Sequence, residues 1–495
     1  MDSLPGEILL HILSNVDSSL ASCASASRRC QWYAEIITFA SIRLDSSEDC
    51  LKTFGRVFAY PRRRCLLKEL IFEVEAPGKF RGKVADRKRF HNKHFSNAIN
   101  GLFTQLYEWN STFQGSKRAP SVNLTIVPKS PWSYAILDDD RRSRKHVKLD
   151  NIVSLPSVTC VKKFKSVELN IHPRAAVAIY RALPCMQHLV WKLNHVPPRR
   201  LEVARTAMRQ SIASALLDVE FSSLEVLDFC YPDHDPKNHM RTPENLLDMY
   251  GNDGLSLAVN RLLKLPKLRR LNLQGLALSP QVFRLDDKSQ NLSTTLEHIE
   301  LSVPMSTPAG SWYFTGDNLS AAFKDHYGRL LQSNYFNIIT DKESQYRTQD
   351  GDLPRVEFRC SPEPTMIDPF LVAMGRAVVG MPALKEACCI FPDVARIAYY
   401  PSGRDGPHVT TAEQAVLPMS VTYGRWMIKF HKEQCIGKDA TWPTDWEIPE
   451  ELVELLRATG NSVLLTRGRR ARVYEPARVR DLCLDQKEGD GRPQK

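Results

Sequence analysis

Catalysis needs nucleophiles, bases or metal ligands at set spacings, and few residues in this chain meet that need. Cys388 and Cys389 are adjacent thiols, but they lie inside an apolar run, where cysteine acts as a small core group rather than a redox pair. His91 and His94 have a ligand-like spacing, yet the stretch around them (77–93) is rich in Lys and Arg, reads as a loop and offers no acidic or thiol partner. His234 and His239 have Asp233 and Asp235 beside them, the better arrangement for a cation; a polar turn explains that segment more simply. The chain contains no His-Glu-x-x-His, no Cys-x-x-Cys pair, no Gly-x-Ser-x-Gly and no phosphate-binding glycine loop. The expectation is a protein with no catalytic residue, no metal and no cofactor, whose work is binding.

Two textures run along the chain and would position any binding residues. The opening is helical: Leu4, Ile8, Leu9, Ile12, Leu13 and Val16 recur at the three-to-four spacing of one helix face. Pro5 suits a first turn, with Ser3 or Asp2 as the cap and Glu7 favouring the positive helix start. An Ala/Ser-rich helical stretch follows to about Ala34. From about residue 65 short segments repeat as apolar-x-x-apolar-x-apolar: Leu67-Leu70-Phe72, Phe164-Val167-Leu169, Met186-Leu189-Trp191, Leu224-Leu227-Phe229, Leu268-Leu271-Leu273 and Leu296-Ile299-Leu301. Leu384-Ala387-Cys389 is a weaker copy, and Val122-Leu124-Ile126 is a bare strand of the same kind. The last two apolar positions of each unit lie two apart, the period of a strand buried on one face. Helical stretches at 173–183, 201–217 and 255–263 separate them. Starts at 164, 186, 224, 268 and 296 are 22, 38, 44 and 28 residues apart, so only two intervals fit the roughly 20–29 residues of a strict leucine-rich repeat.

The opening Leu4-Pro5-x-Glu7-Ile8-Leu9-x-x-Ile12-Leu13, followed by the Ala/Ser-rich helix ending Ser27-Arg28-Arg29-Cys30-x-Trp32, resembles the F-box family over about residues 1–45. With the degenerate repeats behind it, the layout looks like the divergent F-box proteins of filamentous fungi. The second half departs from the family pattern, with Ala, Ser and Cys where many F-boxes carry larger apolar residues. The resemblance implies an α/β chain, a small helical F-box followed by an irregular leucine-rich-repeat-like solenoid. It implies a substrate-recognition adaptor that docks on the Skp adaptor, and through it on a cullin, and holds a protein target on the repeats. Carried over, the docking set is Leu4, Pro5, Ile8, Leu9, Ile12 and Leu13. Residues flanking the buried pair of each strand point to the other face, which makes Glu69, Ser166, Glu168, His188, Asp228, Arg270, Asn272, His298 and Glu300, with Ile71, Val190 and Val226, the expected target-binding surface. The family's asparagine after each strand is mostly missing; Leu271-Asn272-Leu273-Gln274-Gly275-Leu276 comes nearest.

The expected division is 1–45 as the helical module, 46–400 as the repeat body, 401–485 as a capping region and 486–495 as a polar tail. Stretches 138–148, 302–316 and 401–411 read as loops, and Trp442, Trp446 and the helix at 450–457 as a cover for the last repeat. A net charge of +11 and a pI near 9.0 admit nucleic acid, but 67 Lys and Arg are offset by 56 acidic residues along the whole chain. The basic runs 61–64, 141–148 and 467–472 lack the interleaved aromatics of single-strand binders, so nucleic acid is not expected as a partner. The start of the chain has no basic n-region, no stretch reaches about 18 apolar residues, and the 12 scattered cysteines suit a reducing compartment. Cytoplasm or nucleus is expected, and no membrane. An F-box scaffold acting without a cullin and a basic nucleic-acid-binding protein remain as alternatives.

Overall fold

The computed structural model describes residues 4–16, 20–75, 84–112, 120–129, 146–150, 154–193, 202–231, 239, 241–285, 294–316, 359, 361–391, 395–400, 425–430, 449–458, 462–467 and 470–474. The fold is α/β, and the chain divides into two compact units. Unit 1 takes Met1–Pro198, Val203–Pro232 and Leu265–Leu268; unit 2 takes Arg199–Glu202, Asp233–Lys264 and Arg269–Lys495.

Unit 1 opens with three helices, α1 (Gly6–Ser14), α2 (Leu20–Ala26) and α3 (Arg28–Thr38). Pro5 is the residue before α1, in place of the expected Ser3 or Asp2, and its carbonyl accepts from the Leu9 amide at 3.1 Å. Ser27 caps α3, its hydroxyl accepting from the Cys30 amide at 3.1 Å. The helical part ends at Thr38. Residues 41–45, expected inside the helical module, instead form strand β1 (Ser41–Asp45).

Five further strands follow in unit 1: β2 (Glu69–Val74), β3 (Val122–Pro128), β4 (Val161–Ser166), β5 (His188–Lys192) and β6 (Val226–Cys230). Each is hydrogen-bonded to the next in chain order, and every pairing is parallel. Parallel neighbours need a long connection to bring the chain back to the same edge. Helices lie in these connections, among them α4 (Glu48–Val57) and α5 (Pro61–Leu66) after β1, α6 (Val84–Thr112) after β2, α7 (Pro173–Arg181) after β4 and α8 (Glu202–Asp218) after β5.

The alternation read from the sequence sets which strand face meets the helices. Leu70, Phe72, Leu124, Ile126, Leu189, Trp191, Leu227 and Phe229 are fully buried. Tyr180 of α7 packs edge-on against Phe164 at 5.7 Å and Trp191 at 5.6 Å, and Trp191 lies 4.7 Å from Phe229. The geometry suits the ring quadrupoles and adds to the large area these side chains bury. Phe95, Ile99, Leu102, Phe103 and Leu106 give α6 a buried stripe at helical spacing, and Trp109 stacks on Phe54 at 5.8 Å.

Two expectations need correction here. The stretch 77–93 is a helix from Val84 onward: Asp86 sits in the first turn, where an acid is favourable, and the basic residues 87–89 precede the buried stripe. Strand β4 sits three residues earlier than the repeat pattern placed it. Val161, Phe164 and Ser166 are its buried row, while Val167 lies beyond the strand and is only half-buried.

Unit 2 has parallel neighbours β7 (Arg270–Gln274), β8 (His298–Ser302) and, after the short antiparallel pair β9 (Phe314–Thr315) and β10 (Ser361–Pro362), strand β11 (Glu386–Phe391) beside β8. The direction then changes: β12 (Ala395–Tyr400) runs antiparallel to β11, β13 (Arg425–Phe430) antiparallel to β12, β14 (Ser462–Arg467) parallel to β13, and β15 (Arg470–Tyr474) antiparallel to β14. The capping region expected at 401–485 thus contributes strands to the sheet itself. Trp442 and Trp446 lie outside the described residues.

Helices α9 (Gly254–Leu262), α10 (Pro364–Val379) and α11 (Glu450–Ala458) belong to unit 2. Asp253 caps α9 through the Ser256 amide at 3.2 Å, and Asn260 donates to the Val282 and Arg284 carbonyls at 2.9 and 2.8 Å. Phe370 of α10 meets Phe283 and Tyr313 at 5.6 Å each, so the stretch 302–316, though turn-rich, is core. Gly375 lets α11 close on α10, since a Cβ there would lie 2.7 Å from Leu452.

The position of β4 gives a direct check. Phe164→Ala should cost unit 1 about 3–5 kcal/mol through its cavity, and Val167→Ala markedly less. Urea-melt midpoints of the two variants measure the order; the reverse order would put β4 back where the repeat pattern placed it.

Candidate protein-binding surfaces

The helical module splits the expected docking set in two. Leu9 (1% exposed) and Leu13 (4%) turn inward and form a small core with Cys30 (2%), against which Leu20, Cys23, Tyr33 and Ile37 pack. These two leucines hold the module together and cannot also meet a partner. Ile8 (48%) and Ile12 (42%) are exposed on α1, as is Trp32 (46%) on α3. Pro5 is exposed and Leu4 half-buried. Gly6 permits the close crossing of α1 and α3, because a Cβ there would fall 2.1 Å from the Tyr33 hydroxyl.

The basic run 61–64 secures this module rather than facing solvent as a patch. Arg63 and Arg62 of α5 pair with the buried Glu35 of α3 at 2.9 and 3.4 Å. Arg62 also lies over the Trp32 ring at 3.5 Å. Arg64 is buried and donates to the Phe58 carbonyl at 2.6 Å and the Ala59 carbonyl at 3.2 Å. Of the other two basic runs, 141–145 and 468–469 lie outside the described residues.

The second surface is the sheet face opposite the buried rows, described for each unit by itself. In unit 1 the parallel register aligns Ser41, Glu69, Asn123, Lys163, His188 and Val226 in one row. Arg43, Ile71, Thr125, Lys165, Val190 and Asp228 form the next. Of the predicted residues, Glu69, His188 and Asp228 lie on this face, and His188 Nε2 donates to Asp228 Oδ2 at 3.1 Å. Ser166 does not: it is 1% exposed on the opposite, buried row, as the shift of β4 requires. Glu168 lies past the strand end, exposed, with a left-handed φ of 57°.

That same shift hid Lys163 and Lys165, which occupy the face positions of β4. Asn123 and Thr125 were legible as the alternates of a strand already recognised. Toward β1, Arg43 pairs with Glu73 and Lys129 with Asp45. Burial raises the Asp45 carboxyl pKa, but the Lys129 ammonium and the Ser47 amide outweigh it and leave the group below its ordinary range.

In unit 2 the rows are Arg270, His298 and Glu386, then Asn272, Glu300 and Cys388, then Gln274, Ser302 and Ile390. All four predicted residues of this unit, Arg270, Asn272, His298 and Glu300, share the face. His298 lies 3.8 Å from Glu386. The Asn272 side-chain oxygen is buried with no hydrogen-bond partner among the described residues.

His239 is buried; its Nδ1 accepts from the Arg359 amide at 3.0 Å and its ring lies 5.1 Å from Trp312. Asp233, His234 and Asp235 lie outside the described residues. His91 and His94 are on α6, not in a loop. Cys388 and Cys389 are buried in β11, where burial drives the Cys389 thiol pKa well up, and burial likewise pushes Cys160 up to about 12. Among the described residues no group of three or more His, Cys, Asp or Glu is placed to hold a metal, and no helix is long and apolar enough to cross a membrane. No protein-family model and no curated protein sequence matches the chain.

Two outcomes follow. Leu9→Ala should cost about 2–5 kcal/mol as a core deletion, whereas Ile8→Ala should stay within about 1 kcal/mol, both read from denaturant melts. With iodoacetamide at pH 8, the exposed Cys50 should label first among the described cysteines, while Cys160 and Cys389 should stay unmodified in the folded protein. Peptide mapping by mass spectrometry reads the order.

Proposed function

We propose that the chain is a non-catalytic substrate receptor of a Skp–cullin–F-box ubiquitin ligase. The helical module docks on the Skp adaptor, and a repeat array of leucine-rich-repeat type presents the target. The observation that carries this reading is the module's division of its apolar residues. Leu9, Leu13 and Cys30 satisfy its own core, while Ile8, Ile12 and Trp32 remain in solvent. Ile8 and Ile12 lie one helical turn apart on α1, an apolar pair suited to being covered by a partner, and each Ile so buried contributes roughly 1.5–3 kcal/mol. The likeness of 4–32 to the F-box pattern names that partner.

The repeat reading is supported by strands that pair in chain order, each parallel to the last within unit 1, with helices in several of the connections and, among the described residues, a second strand face of mostly half-buried and exposed side chains. Such a receptor does no chemistry on its target. It raises the target's effective concentration at the transfer machinery.

Co-expression with a Skp adaptor tests the docking half. Wild-type chain should co-purify with it. Ile8→Asp combined with Ile12→Asp should abolish capture, because each would bury an unpaired charge, and should leave the thermal melt unchanged. Capture that survives the double substitution removes these residues from the interface, and absence of capture by wild type removes the ligase reading.

A further inference from the structure

The unit 1 sheet face has an uneven charge pattern. Its ends are internally paired: Arg43 with Glu73 and Lys129 with Asp45 on the β1 side, and His188 with Asp228 on the β6 side. Between them, Lys163 and Lys165 are half-buried, point to the same face of β4, and have no carboxylate partner among the described residues. Their register neighbours are the neutral Asn123 and Thr125 on β3, and His188 and Val190 on β5. His188 pairs with Asp228 two strands away from β4, and among the described residues no ion pair joins either lysine to a carboxylate. Their stems are partly covered by the face, and two like charges two residues apart on one strand form a local cationic spot that suits an incoming anion.

We infer that this face recognises an acidic peptide in extended conformation, with carboxylates at alternate residues (Glu-x-Glu or its Asp equivalents) set against Lys163 and Lys165. This deepens the reading of the sheet face as the target-holding surface and rests on it. The geometry argues for the peptide. Lys163 and Lys165 are two residues apart on a strand, a rise of about 6.6 Å, which is also the step between alternate side chains of an extended ligand. Asn123 and Thr125 supply hydrogen-bonding groups beside the pair. The face argues equally against nucleic acid. A phosphate ladder running across the strands would leave the two lysines and meet Glu69 and Glu73 on one side and Asp228 on the other. The cationic zone is one strand wide.

Fluorescence anisotropy on the full-length chain tests this, with labelled peptide pools of degenerate sequence around a fixed centre. Centres of Glu-x-Glu, Gln-x-Gln, Lys-x-Lys and a single phosphoserine, and a single-stranded oligonucleotide, are the probes. The Glu-x-Glu pool should bind about tenfold tighter than Gln-x-Gln, the scale of two such ion pairs together. The Lys163→Glu/Lys165→Glu variant should lose that preference and gain one for Lys-x-Lys, a reversal that only a folded face can give. Equal binding of the Glu and Gln pools overturns the inference, as does a variant that keeps the acidic preference. Tighter binding of the oligonucleotide, or of phosphoserine over the carboxylate pair, also overturns it.

Capture of the Skp adaptor is read separately in the same preparations. Acidic preference without capture supports this inference and sinks the ligase reading; capture without acidic preference does the opposite.

Discussion

A strand covered by helices on one side has only alternate residues available for packing, and that constraint organises each sheet here. In unit 1 the inward row holds Leu70, Phe72, Leu124, Ile126, Phe164, Leu189, Trp191, Leu227 and Phe229, all fully buried. Because every pairing is parallel and follows chain order, the outward residues fall into register across six strands. A row of chemically varied side chains is therefore a by-product of the packing rule. The rule fixes where those positions are and leaves their identity open, which is what a selective binding face needs.

The helical module obeys the same logic on a smaller scale. Its short helices give it little interior, so it is held by a few contacts: Leu9 and Leu13 against Cys30, the Gly6–Tyr33 crossing, and Glu35 gripped by Arg62 and Arg63. The ion pairs tie α3 to α5, and hence the module to the sheet-bearing part of unit 1. A module anchored this way can present Ile8 and Ile12 without depending on them for its own stability.

Much of this was legible in the sequence because the period-two signal survives insertions. Strands β2, β5, β6, β7, β8 and β11 lie where the apolar pairs placed them, including the weak copy at Leu384-Ala387-Cys389. The failures have specific causes. In β4 the inward row ends in Ser166, a polar residue that the pattern could not count as buried, so the register slid to Val167 and Leu169 and concealed Lys163 and Lys165. The basic residues at the start of α6 masked a helix whose stripe begins only at Phe95. The expected docking set is divided between core and surface because Ile8 and Leu9, and likewise Ile12 and Leu13, are neighbours on one helix. Spacing alone assigns all four to a single stripe; only the place of α3 decides which two are covered.

Hydrogen–deuterium exchange of the full-length chain with and without purified Skp adaptor tests the central claim most directly, since it reads where the partner sits. The account requires slowed exchange confined to the helical module, residues 4–38, with strands β2 to β6 unaffected and left available to a target. Protection centred on those strands, with the module exchanging as before, would contradict it.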